Sequence, residues 1–134
     1  MRLETELQIE ASAVTGAEFR SVNSRLLGSF YANVERSTGK WVYNVYRWHA
    51  YTYRFEQAIV GPEAFERFHQ QTVMPFYIYR ETDDSLFDCN ARSWPDVRVF
   101  EDDVYVFPHD MAWLFITTHE ASRGIGPFFA LPCS

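Results

Sequence analysis

Residues 102–129 read DDVYVFPHDMAWLFITTHEASRGIGPFF. Two apolar runs, Val104–Phe107 and Trp113–Thr118, flank Pro108-His109-Asp110-Met111-Ala112. That spacer is of hairpin length, so the pair predicts two antiparallel strands. Both faces of Trp113–Thr118 are largely apolar, which predicts an interior strand covered on each side. Gly124 to Pro127 then turns the chain into a last short strand, Phe128–Leu131.

Working outward, Phe76–Glu81 and Leu86–Ala91 flank the polar turn Thr82-Asp83-Asp84-Ser85 and predict a second hairpin. Ser93-Trp94-Pro95-Asp96 breaks that pattern. Near the start, Leu3, Thr5, Leu7, Ile9 and Ala11 alternate with Glu4, Glu6, Gln8 and Glu10, the period of a half-buried strand. Phe19, Val22, Leu26, Phe30 and Val34 recur at spacings of three and four, predicting an amphipathic helix from about Ala17 to Glu35. Trp41 to Phe55, rich in Tyr, Trp and Val, reads as a strand with a bend near Asn44 or His49. Gly61-Pro62 opens a second helix, with Pro62 at its first position, ending by Thr72 because Pro75 disfavours continuation. The expected architecture is α+β over a single domain, residues 1–134. It is a mainly antiparallel sheet of about five or six strands with two helices packed on one face.

The chain has 134 residues, of which 18% are aromatic, and a net charge of −6. That charge is localised. Glu81, Asp83, Asp84, Asp88, Asp96, Glu101, Asp102 and Asp103 face only Arg92 and Arg98 between positions 81 and 103, and the remainder is balanced. An acidic segment disfavours nucleic acid and anionic membrane and would steer a basic protein partner inward. Asp83, Asp84, Asp88, Glu101, Asp102 and Asp103 are therefore the candidate partner-binding residues, against the plainer reading of a solvated, turn-rich face. No stretch approaches the roughly 20 apolar residues of a membrane span. No basic-then-apolar leader opens the chain, so a cytoplasmic protein with reduced Cys89 and Cys133 is expected.

Candidate chemistry centres on two histidines. His49 sits among Trp48, Tyr51 and Tyr53, an aromatic wall. On an extended reading Trp113, Phe115, Thr117 and His119 share one face, while Glu120 falls on the other. His119 and Glu120 therefore diverge unless the strand ends first. The zincin motif His-Glu-x-x-His is absent because position 123 is Arg. His119 could act as a base or ligand, oriented by Glu120 or Asp88; the alternative is a strand-end His bonded to backbone and a Glu120 paired with Arg123. Trp48, His49, Tyr51, Trp113, His119 and Glu120 form the candidate pocket. A metal site built from His49, His119 and Asp88 or Cys89 would need three distant strands to converge, and no close ligand spacing supports it, so neither a metal nor a cofactor is expected. Asp102-Asp103 beside Glu101 suggests a paired-carboxylate site, with a solvated turn as the simpler reading.

Several short motifs occur in a consistent order: Phe30-Tyr31-Ala32-Asn33, Trp48-His49-Ala50-Tyr51-Thr52-Tyr53, Gly61 with Ala64 and Phe68, Asp103-Val104-Tyr105-Val106, Trp113, Thr118-His119-Glu120 and Gly126-Pro127-Phe128-Phe129. In this the chain resembles a family of small bacterial proteins known as domain of unknown function 4275. Tyr51-Thr52 and Phe128 depart conservatively from that pattern. The resemblance brings no mechanism. It implies a bacterial, cytoplasmic protein, and such domains sometimes look like toxin-neutralising immunity proteins. The leading expectation is a binding protein of this immunity type, acting through its acidic surface. The competing expectation is a small hydrolase-like or ligand-binding enzyme using His49, His119 and a carboxylate.

Overall fold

The computed structural model describes residue 7, residues 9–41 and residues 46–133. The elements are β1 (Glu10–Val14), α1 (Gly16–Phe30), α2 (Ala32–Thr38), α3 (His49–Thr52), β2 (Ile59–Val60), α4 (Pro62–Gln70), β3 (Phe76–Arg80), β4 (Ser85–Asn90), β5 (Val104–Pro108), β6 (Leu114–Thr117) and β7 (Phe128–Ala130). Short 3-10 turns cover Val97–Phe100 and Ala121–Arg123. The fold is α+β.

The described strands form one seven-stranded sheet in the order β1-β4-β3-β5-β6-β7-β2. Every pairing is antiparallel. The two predicted hairpins are adjacent at its centre, where Tyr79 pairs with Tyr105 and Val104 with Thr117. The seventh strand, beyond the expected five or six, is Ile59–Val60, two residues against Phe129 and Phe128. It is too short to carry a period.

Successive side chains of a strand point to opposite faces, and here both faces are buried. Tyr77, Tyr79, Tyr105, Phe107, Leu114, Ile116 and Phe128 pack with Val22, Leu26, Phe30, Val34 and Tyr51 from α1, α2 and α3. Phe76, Ile78, Val104, Val106, Trp113, Phe115 and Phe129 pack with Ala64 and Phe68 of α4 and with Trp94, Val97 and Phe100. Phe68 stacks on Phe115 at 4.4 Å and 14°. Helices therefore cover both faces, not one, and the described residues form four rather than two. The interior strand covered on each side is present as β6, whose four residues are all buried.

The helix expected over 17–35 is interrupted. At Tyr31 the backbone leaves the helical region (φ −129°, ψ 15°), and α2 starts afresh at Ala32. Its first amides are capped from a distance: Glu56 accepts hydrogen bonds from the N–H groups of Asn33 and Val34 at 2.7 and 2.9 Å. A helix N-terminus leaves such donors unsatisfied, and a carboxylate also complements the helix dipole. The Cys133 thiol donates to the same carboxylate at 3.1 Å. Burial pushes that thiol's pKa up, and the Glu56 hydrogen bond adds to the effect. Cys89 lies in the second core, packed with Phe76 and Trp94.

The long strand expected over 41–55 is corrected where it is described; residues 42–45 lie outside the described residues. From Tyr46 the chain turns into α3, with Ala50 and Tyr51 buried. Aromatic β-propensity reflects fit to a pleated surface, and here the rings instead pack from a helical turn onto the sheet. The strand expected over 3–11 lies partly outside the described residues; the paired strand is Glu10–Val14.

Candidate functional site

The centre of the site is a carboxylate that the strand phase carries inward. Asp103 immediately precedes β5, two residues before Tyr105, and is 3% exposed. A buried carboxylate is expensive unless donors surround it. Asp103 Oδ1 accepts from the Trp48 indole Nε1 at 2.9 Å and from the backbone N–H of His119 at 3.0 Å. Its two oxygens lie 2.9 and 3.0 Å from His119 Nδ1. Asp103 is thus neither a solvated turn residue nor a surface group that a partner could meet, contrary to both sequence readings. Asp102 beside it accepts from the Thr82 hydroxyl and from Arg80 Nη2 (3.2 Å). Burial pushes the Asp102 carboxyl up, but hydrogen bonds from Thr82, the Asp103 N–H and Arg80 outweigh it and hold the carboxyl below its usual range.

His119 is delivered by the end of β6. The strand stops at Thr117, so the phase that would separate His119 from Glu120 is lost. The buried Thr118 hydroxyl makes the turn: it donates to the carbonyl of Ile125 at 2.7 Å and accepts from the N–H of Glu120 at 3.2 Å. Glu120 lies 3.8 Å from Arg123. The residue that orients His119 is Asp103, rather than Glu120 or Asp88; Asp88 instead bonds His109 Nε2 at 2.8 Å. With Nδ1 against a carboxylate, the neutral ring carries its proton there and leaves Nε2 bare. The His119 side chain is 37% exposed. It lies between two clefts, one of about 370 Å³ bordered by Tyr46, Glu81, Thr82 and Asp102. The other, of about 430 Å³, is bordered by Arg98, Glu101, Thr117 and Ser122.

An aromatic stack brings the second histidine close. Tyr46 and Trp48 lie parallel at 5.4 Å and 6°. His119 meets both edge-on, at 5.0 and 5.9 Å between centroids. His49 meets the same two rings at 5.3 and 4.4 Å. The Tyr46 N–H donates to His49 Nδ1 at 3.3 Å, which assigns the neutral ring's proton to Nε2. Burial lowers the His49 pKa below its ordinary value, and neighbouring His119 adds to this, while Glu120 and Asp103 oppose it. The two imidazoles, neutral, are opposite tautomers around one aromatic stack.

Of the six candidate pocket residues, Trp48, His49, His119 and Glu120 lie in this neighbourhood. Tyr51 does not: its hydroxyl donates to the Phe30 carbonyl at 2.8 Å, and its ring meets Tyr31. Trp113 faces the other side of the sheet, against Phe68, Trp94 and Phe129. Among the acids, Asp83, Asp84 and Glu101 are exposed. Asp84 accepts from the Tyr79 hydroxyl at 2.5 Å and Asp83 lies 3.9 Å from Arg80. Tyr46, Glu81 and Tyr105 were not anticipated. Asp103 could have been assigned from its phase with the apolar Tyr105 and Phe107. Glu81, at the end of the expected strand Phe76–Glu81, carries the same signal through its phase with Tyr77 and Tyr79.

Among the described residues, no group of three or more His, Cys, Asp or Glu could hold a metal ion. No described helix is long and apolar enough to cross a membrane. No curated protein and no solved structure matches the chain. The motifs Trp48-His49, Asp103-Val104-Tyr105 and Thr118-His119-Glu120, distant in sequence, meet at the Asp103 carboxylate. They fall inside residues 28–129, which match the sequence profile described as Domain of unknown function (DUF4275), and the chain belongs to that family.

Proposed function

We propose that the protein is a small hydrolase-like enzyme whose acid–base centre is His119, oriented by Asp103 and assisted by His49. The observation that carries this reading is the bonding of His119 Nδ1 to both oxygens of a buried carboxylate beside a cleft. Such an arrangement fixes the tautomer and supports the imidazolium that forms when Nε2 takes a proton. In ester hydrolysis, water attacks the carbonyl carbon as its proton passes to His119 Nε2. The leaving oxygen then receives that proton as the C–O bond breaks. His49, uncharged at neutral pH, donates from Nε2 to an oxygen of the ligand. The test compares wild type with His119→Asn on p-nitrophenyl acetate. A wild-type rate well above that of the folded variant supports the reading, and equal rates end it.

A second reading, a toxin-neutralising binding protein, is supported by the exposure of Asp83, Asp84 and Glu101. Charge of this kind raises association rates with a basic partner. Neutralising these three residues leaves the buried Asp103 untouched. Loss of capture of a basic protein with the fold intact would favour this reading, and unchanged capture would remove it.

A further inference from the structure

We propose that Glu81 and Tyr105 are positioning residues for the His119 site, holding the Tyr46–Trp48 segment so that the indole of Trp48 reaches Asp103. The proposal rests on His119 as the centre of the site. Its ground is a continuous chain of hydrogen bonds. The Arg47 N–H donates to Glu81 Oε2 at 2.9 Å, and the Tyr105 hydroxyl donates to Glu81 Oε1 at 2.5 Å. The same hydroxyl accepts from the Trp48 N–H at 3.0 Å. Two successive backbone amides of the segment are thereby fixed.

Strand β5 completes the grip. Asp103 and Tyr105, two residues apart, lie on one face; Tyr105 takes the backbone N–H of Trp48 and Asp103 takes its indole N–H. Trp48 is 1% exposed and Tyr105 fully buried, so neither bond competes with solvent. The indole donates to Oδ1, the oxygen that also lies 2.9 Å from His119 Nδ1. Setting the indole therefore sets the carboxylate, and the carboxylate sets the imidazole. Glu81 also borders the cleft beside His119, so a ligand entering that cleft meets one end of the chain while His119 stands at the other.

The experiment reads solvent exchange of the Trp48 indole proton and the His119 Nδ1 proton by NMR in the intact protein. Tyr105→Phe removes one hydroxyl without changing charge, and Glu81→Gln keeps the shape of its side chain. Tyr79→Phe is the control, because its hydroxyl on the same face bonds Asp84 outside the chain. The expected result is exchange at least about tenfold faster for both protons in Tyr105→Phe and Glu81→Gln, with Tyr79→Phe like wild type. Wild-type exchange in a folded Tyr105→Phe or Glu81→Gln, or equal acceleration in Tyr79→Phe, would overturn the proposal. If Tyr105→Phe does not fold, Glu81→Gln alone decides. The readout needs no turnover, so failure of the hydrolytic reading shows separately, as equal rates in wild type and His119→Asn.

Discussion

Nδ1 of His119 lies 2.9 and 3.0 Å from the two carboxylate oxygens of Asp103, a residue sixteen positions earlier in the chain. Asp103 is buried while His119 stays partly open to solvent, so one end of the imidazole is fixed and the other is available. This contact closes the central hairpin and defines the candidate site together.

Asp103→Ala leaves the Trp48 indole N–H, the His119 N–H and the imidazole without their acceptor. Breaking a buried, multiply bonded carboxylate costs roughly 3 kcal/mol or more. Urea unfolding should show that loss. A change below about 0.5 kcal/mol, the scale of an ordinary surface substitution, would mean the carboxylate is not the hub described.

Glu56 is predicted to matter for stability although it borders neither cleft beside His119. It is 3% exposed and accepts from Asn33 N–H, Asn33 Nδ2, Val34 N–H and the Cys133 thiol. Glu56→Ala should cost about 2–4 kcal/mol through the lost cap and orphaned donors. It should also speed alkylation of Cys133, whose thiol pKa is held up by burial and by the Glu56 bond. Unaltered stability and alkylation would contradict the capping role.

Two partly buried groups make opposite contributions to the pH dependence of stability. Burial lowers the His49 pKa, so its contribution is present above the unfolded value of about 6.5 and is lost as pH falls through the folded value. Burial raises the Glu81 pKa against opposing bonds from Tyr105 and Arg47. Its contribution is present below the unfolded value of about 4.3 and is lost as pH rises through the folded value. His49→Gln should therefore reduce the gain in unfolding midpoint as pH rises toward 6.5, leaving the part due to His69, also lowered by burial. Glu81→Gln should remove a decline that begins above about 4.3. Midpoints measured from acid to neutral pH that change slope in the opposite directions would refute these assignments.

The two hairpins were legible because period two and turn chemistry agree at Phe76–Asn90 and Val104–Thr117, and the apolar faces of β6 announced its interior position. The same apolar residues imply cover on both sides without saying which segment supplies the second layer. Phe68 supplies much of it from a nine-residue helix, and nothing in the spacing says which face a helix takes. The stretch from Tyr46 to Phe55 forms a helical turn instead of a strand; aromatic residues suit both alike. Of the site, His49, His119 and Trp48 were visible as residue types. Asp103 was obscured by its acidic neighbours, although only it combines strand phase with burial. Glu56 and Glu81 act across twenty or more residues on backbone amides, which no local pattern encodes.

The most direct measurement is the protonation pattern of the His119 imidazole in its neutral form, read from long-range proton–nitrogen correlations in the folded protein. Bonding to Asp103 predicts a protonated Nδ1 and a bare Nε2. A neutral ring carrying its proton on Nε2 would contradict the account.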